Sequence, residues 1–262
     1  KTAVEKFKKK LRWNDDEKWF DHSGVGLLFY AVVSDEPHVV RELLQELKQK
    51  FKGVEYTRRL ESLVRDEGYV TLGIPGRMTA LLAAMVFASS QIICLLLEYD
   101  ADLKSVDVMG NNALLLASAM GRTNNVKCWL EKMERCDLET RNALMTAGLT
   151  SLHASVYVGA VKFDTTKTLL EAGADMTSHA FTGENVLHFA VENEDSDPDV
   201  IRLLLQNLST GDINSQSRAN SVVWRGIRFV AKALYRAGIA KEGLFGYLAM
   251  DAGTTSLNKA VV

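Results

Sequence analysis

The chain is poor in the residues that build chemistry. It has three cysteines, Cys94, Cys128 and Cys136, in 262 residues. An odd number without framework spacing excludes a disulfide scaffold and points to a reducing, intracellular compartment, the cytoplasm first, with an organelle still compatible. Charge of one sign is also lacking: 31 basic residues face 33 acidic ones, for a net charge of −2. That balance gives no electrostatic footprint for nucleic acid or an anionic membrane. No apolar run approaches the ~18 residues of a membrane span; the most apolar stretch, Ala80–Ala88, is far shorter. The phosphate-cradling patterns G-x-G-x-x-G and G-x-x-x-x-G-K are absent, as is the nucleophile elbow G-x-S-x-G. The sequence therefore predicts no catalytic residue, no metal site and no cofactor.

What is present is a phrase that recurs. Leu169–Ala190 reads LLEAGADMTSHAFTGENVLHFA, and Leu96–Ala117 carries the same phrase as LLEYDADL followed by GNNALLLA. A leucine pair closes one helix, a glycine or aspartate turn comes next, and a second apolar element opens. Taking the leucine of that second element as a marker gives Leu28, Leu81, Leu114, Leu152, Leu187, Val222 and Leu257, separated by 53, 33, 38, 35, 35 and 35 residues. The long first step comes from residues inserted between units, not from a wrong period.

These offsets resemble the ankyrin repeat, a unit of about 33 residues with the signature T-P-L-H-x-A. The resemblance implies an all-α solenoid of helix-turn-helix units with short hairpin loops, about six repeats plus the start of a seventh. Residues 1–20 form an N-terminal helical arm, with Val4, Phe7 and Leu11 at helical spacing and Trp13, Trp19 and Phe20 capping the core. Residues 21–262 form the repeat domain. It carries a helical insertion at about 46–74, including an extra helix near Val54–Asp66, and a degraded repeat at about 217–246. In that repeat Arg225 replaces a small residue, and a basic apolar helix is predicted through Ile227–Ala240. Pro37 suits the first turn of a helix. Gly253, Thr255, Leu257 and Ala260 match the opening of a seventh repeat. That opening, and the absence of a starting methionine, favour a longer chain with repeats continuing past Val262.

The resemblance also assigns roles. His153 and His188 occupy the histidine of the signature and are expected to hydrogen-bond between neighbouring repeats. Cys94 and Cys128 fall among core residues, where a thiol behaves as a small hydrophobe. Ankyrin arrays bind partners through hairpin tips and the groove side of their first helices. Those positions are apolar here: Met78, Val86 and Phe87, then Val108, Met109 and Met120, then Leu149, Tyr157, Val158 and, at the next tip, Phe181. Glu184, Glu192 and Asn193 end the stripe with polar groups. Contiguous exposed apolar surface marks an interaction site. The expected function is a non-catalytic protein-protein interaction scaffold, a subunit or segment of a larger assembly. The alternative is a regulatory ankyrin segment of a longer enzyme or channel chain; a nucleic-acid binder is disfavoured by the charge.

Overall fold

The computed structural model describes residues 2–12, 26–61, 78–133, 136–143, 147–157, 163–193, 195–239 and 254–256. Trp13, Trp19, Phe20 and Val158 lie outside them. The chain divides into two compact units, one of residues 1–117 and 124–134, the other of 118–123 and 135–262.

In the first unit α1 (Ala3–Leu11) is the predicted arm. The Thr2 hydroxyl accepts from the Glu5 N–H. Glu42 receives the N–H groups of Ala3 and Val4 on its two carboxylate oxygens, at 3.2 and 3.1 Å. Val4 and Phe7 are buried, while Lys10 reaches Glu36 at 3.1 Å. The first helix pair is α2 (Leu27–Val33) and α3 (Pro37–Lys50), with Pro37 in the first turn as expected. Val39, Val40, Leu43, Leu44 and Leu47 line the buried side of α3. Each such side chain contributes roughly 1.5–3 kcal/mol on burial.

The inserted helix is α4 (Gly53–Leu60), shorter than the span predicted from periodicity; residues 62–77 lie outside the described ones. It docks on the base of the next hairpin. The Tyr56 hydroxyl donates to Tyr99 O at 2.6 Å, and the Asp102 N–H donates to Glu61 at 2.8 Å.

The second pair is α5 (Ala80–Phe87) and α6 (Ser90–Glu98), packed on α2 and α3 respectively. Helix α5 is apolar all round and sits in the core, as such a helix must. Thr79 caps its start, and Asn125 donates to the last carbonyls, Met85 O at 3.1 Å and Ala88 O at 2.9 Å. Asn125 belongs to α8 (Thr123–Lys132), which comes after α7 (Ala113–Ala119).

The second unit contains α9 (Ser151–Tyr157), α10 (Phe163–Glu171), α11 (Val186–Glu192) and α12 (Pro198–Asn207). Helix α9 packs on α10 and α11, and α12 packs on α10 and α11. A short α13 (Thr210–Ile213) and a long α14 (Val222–Arg236) come after them.

The expected sixth repeat is built differently. Its marker, Val222, is 76% exposed, and Arg225 is exposed too. The buried residues of α14 are Trp224, Arg228 and Ala231. The helix begins before Ile227 because Ser221 caps it, accepting from the Trp224 N–H at 3.2 Å.

The hairpins explain the difference. In one, the Asp107 N–H donates to Asn111 O; in the next, Asn142 to Leu149 O; in the third, Ala180 to Glu184 O, with His179 bridged to Asn185. In the fourth, the Ser217 N–H donates to Thr254 O at 2.8 Å, with Gln216 bridged to Thr255. Thr255 thus stands where Asn185 stands; Leu257 lies outside the described residues. The segment read as the opening of a seventh repeat closes the hairpin that comes after α12. Helix α14 belongs to an excursion from the tip of that hairpin.

Candidate interaction surface

Hairpin geometry is set by short polar side chains turned inward. The buried Asp107 carboxylate accepts the N–H groups of Met109 and Asn111, each at 2.8 Å, and the Asn111 side-chain amide at 2.8 Å. This is the aspartate turn in which a side chain hydrogen-bonds its own backbone a few residues on. Gly110 takes the left-handed conformation, φ 75°. The polar groups are consumed inside the turn, so Val108 and Met109 are held outward, 55% and 38% exposed. Leu103 and Val106 on the same loop are exposed as well.

In the second unit the hairpins are tied to each other. Arg141 donates through Nη1 to Gly148 O at 2.9 Å and His179 O at 2.8 Å, and through Nη2 to the Ser178 hydroxyl at 2.7 Å. Its guanidinium also lies 5.6 Å from the centre of the Phe181 ring. The planar fork satisfies two carbonyls and a hydroxyl at once, which a lysine ammonium does not do with one geometry. The Phe181 ring lies over Gly148: a Cβ there would sit 2.0 Å from the ring, and Gly148 is at φ +66°.

His153 does what the resemblance implies. Its Nε2 lies 3.1 Å from Ser178 O of the next hairpin, and its Nδ1 lies 2.8 Å from the Thr150 hydroxyl. Burial, with the Arg141 charge as a second cause, holds the imidazole neutral and pulls its pKa down to about 3. His188 Nδ1 lies 2.6 Å from Asn185 Oδ1, and its Nε2 lies 3.4 Å from Thr254 O. The histidine contact therefore spans the excursion and meets the returning chain at Thr254.

The third hairpin tip is covered. Arg228 of α14 donates to Glu184 Oε1 at 2.6 Å, with both side chains at most 6% exposed. It also lies 3.3 Å from Ser217 O. Trp224 and Ala231 pack with Ala147, Phe181, Ala219 and Ile227. The Arg218 backbone comes so close to Gly183, φ +100°, that a Cβ there would sit 2.2 Å from it.

The ten residues predicted to form one apolar stripe fall into distinct classes. Met78, Val86 and Leu149 are buried inside the repeats and leave the surface set. Their apolar character serves the core: Val86 on the inner side of α5, Met78 and Leu149 just before α5 and α9. Phe87 and Phe181 are half-buried, Phe181 within the contact to α14. Val108 and Met109 are exposed in the first unit; Met120 and Tyr157 are exposed in the second, at 45% and 42%. Tyr157 packs edge-on against Phe189 with centroids 4.9 Å apart. Val158 lies outside the described residues. Glu184, expected as a polar surface position, is a buried ion-pair partner.

Leu103 and Val106 were missed, although they lie in the same loop as Val108. Arg141 and Arg228 were missed because nothing in the repeat spacing prescribes an arginine there. Among the described residues no group of three or more His, Cys, Asp or Glu side chains gathers as a metal site. None of the described helices is long and apolar enough to cross a membrane.

No protein-family model matches the chain, and no curated protein matches it. Among solved structures, the ankyrin repeat domain of Bcl-3, titled a unique member of the IκB protein family, is similar to it. The match has a TM-score of 0.57 and 23% identity, and covers 92% of this chain and all of that one. At that identity the likeness establishes the fold: an all-α stack of ankyrin repeats.

Proposed function

From the ankyrin-repeat fold we propose that the chain is a non-catalytic protein-protein interaction scaffold. Folds of this type generally mediate protein-protein contact and typically carry no catalytic centre. The observation that carries the reading is the loop of the first unit. Leu103, Val106, Val108 and Met109 are all at least 38% exposed on a turn held by the Asp107 carboxylate. An exposed apolar cluster on a preorganised turn costs little to immobilise on binding, and methionine adapts its shape to a partner. Met120 and Tyr157 are further contact residues, offered by the second unit. A role as a subunit of a larger assembly, or as the regulatory segment of a longer chain, fits the same surface.

The test is co-purification of the tagged chain from its native source, beside a Val108→Asp, Met109→Asp variant. The expected result is a partner set that the variant loses while its helical circular dichroism is unchanged. Identical partner sets for both proteins would refute the assignment of this loop.

A further inference from the structure

The two core cysteines of the first unit are not independent. Cys94 lies on α6 and Cys128 on α8, the second helices of successive repeats, 34 residues apart in sequence. Their sulfurs are 3.6 Å apart. Neither is in a disulfide. A bond between them needs the sulfurs to close to about 2.05 Å, from the 3.6 Å at which they stand. Repeat spacing explains why each position is apolar; it does not explain why both are cysteine.

We propose that Cys94 and Cys128 form a dithiol site that a hydroperoxide oxidises to a disulfide, tying the second helices of two successive repeats together. The exposures assign the order of events. Cys94 is half-buried and meets the oxidant; Cys128 is buried and resolves the product. Burial, followed by the Cys94 thiol itself, pushes the Cys128 pKa up to about 11, with Lys132 opposing and Glu131 adding to the rise. The thiolate is the nucleophile, so Cys128 is a poor first attacker. The Cys94 sulfur attacks the peroxide: an S–O bond forms, the O–O bond breaks, and water or an alcohol leaves. The Cys128 sulfur then attacks the Cys94 sulfenic acid. The S–S bond forms, the S–O bond breaks, and hydroxide leaves with the Cys128 proton as water. Two thiols lose two electrons and the peroxide gains them.

The cross-link closes a loop that spans one repeat. Such a closure removes freedom from the unfolded chain, so the oxidised protein is expected to melt higher by roughly 5–10 °C. It would stiffen the contact between the two repeats that flank the Val108–Met109 hairpin.

The experiment uses the full chain, reduced and then treated with hydrogen peroxide. Remaining thiols are alkylated and the digest is mapped by mass. The expected result is a Cys94-to-Cys128 cross-link, one per chain, reversed by reductant and abolished in Cys94→Ser. Cys94 running on to sulfinic acid while Cys128 stays alkylatable would overturn the proposal. So would pairing with Cys136 at the same rate, or links between chains. A second measurement needs no variant. A trivalent aryl arsenical, which bridges two adjacent thiols with loss of water, should bind one-to-one and protect Cys94 and Cys128 together from alkylation. Protection of neither would overturn the pairing.

Discussion

Two hairpin tips of this molecule close alike and are used oppositely. At Asp107–Asn111 and at Ala180–Glu184 the same cross-turn N–H to O=C bond closes a tight loop. The first tip turns its polar groups inward and presents Val108 and Met109. The second is engaged: its Phe181 and Glu184 are taken up by Trp224 and Arg228 of α14. The difference does not come from the tips. It comes from a later hairpin, which returns at Thr254 instead of within a few residues. A repeat position therefore marks a candidate surface, and only the rest of the chain decides whether it is left exposed.

The comparison breaks most severely at the ion pair. Glu184→Ala takes the carboxylate away from the buried Arg228 guanidinium, and losing one member of a buried ion pair costs roughly 3–5 kcal/mol. Helix α14 should detach, with hydrogen exchange across Val222–Arg236 rising toward solvent rates while α11 stays protected. Equal protection of α14 in the variant would show that apolar packing alone holds it.

Gly148→Ala is next. The new Cβ enters the Phe181 ring at a positive φ, and the two penalties together come to roughly 2–4 kcal/mol. A lowered urea midpoint for the second unit, followed through Trp224 emission, would register it. Gly110→Ala, at the open tip, also carries the backbone penalty of a positive φ.

Acid should weaken the second unit. The folded pKa of His153, about 3, lies below the unfolded value of 6.5. The unfolded chain takes up the proton first, so the stability is complete above pH 6.5 and is lost as pH falls from there toward 3. By pH 4.5 the loss is roughly 3 kcal/mol. His153→Gln should flatten this part of the pH profile; an unchanged slope would assign the acid sensitivity elsewhere.

The smallest effect on stability is expected at the open tip. Val108→Asp with Met109→Asp alters exposed side chains only, so it should shift stability by no more than about 0.5 kcal/mol. A larger loss in a melting curve would mean that the tip is packed after all.

Much of the fold was legible because repeats encode it redundantly. Leu28, Leu81, Leu114, Leu152 and Leu187 recur at one place in the unit, and all are buried. Pro37 and His153 act where the pattern put them. The site was less legible. Repeat spacing places Met78, Val86 and Leu149 near the groove but does not say which way each side chain turns, and all three turn inward. The sixth unit misled because Val222 falls at a permitted interval by coincidence of length. An amphipathic helix with a buried arginine looks, in one dimension, like a worn repeat. Only pairing between Gln216 and Thr255 reveals the excursion, and pairing partners are not written in periodicity.

That excursion bears on the order in which the second unit can assemble. The His153 contact joins groups 25 residues apart in sequence; the corresponding His188 contact joins groups 66 apart. Loop-closure entropy grows only with the logarithm of length, so the longer loop adds about 0.9 kcal/mol to the equilibrium cost. The kinetic consequence is larger than the thermodynamic one. Helices α9 to α12 can zip together through local contacts, as neighbouring repeats do, while Thr254 has to find Ser217 after the intervening chain has been made. The seam between Ser217 and Thr254 is therefore expected to form last. During synthesis it stays open until the ribosome has released more than thirty further residues.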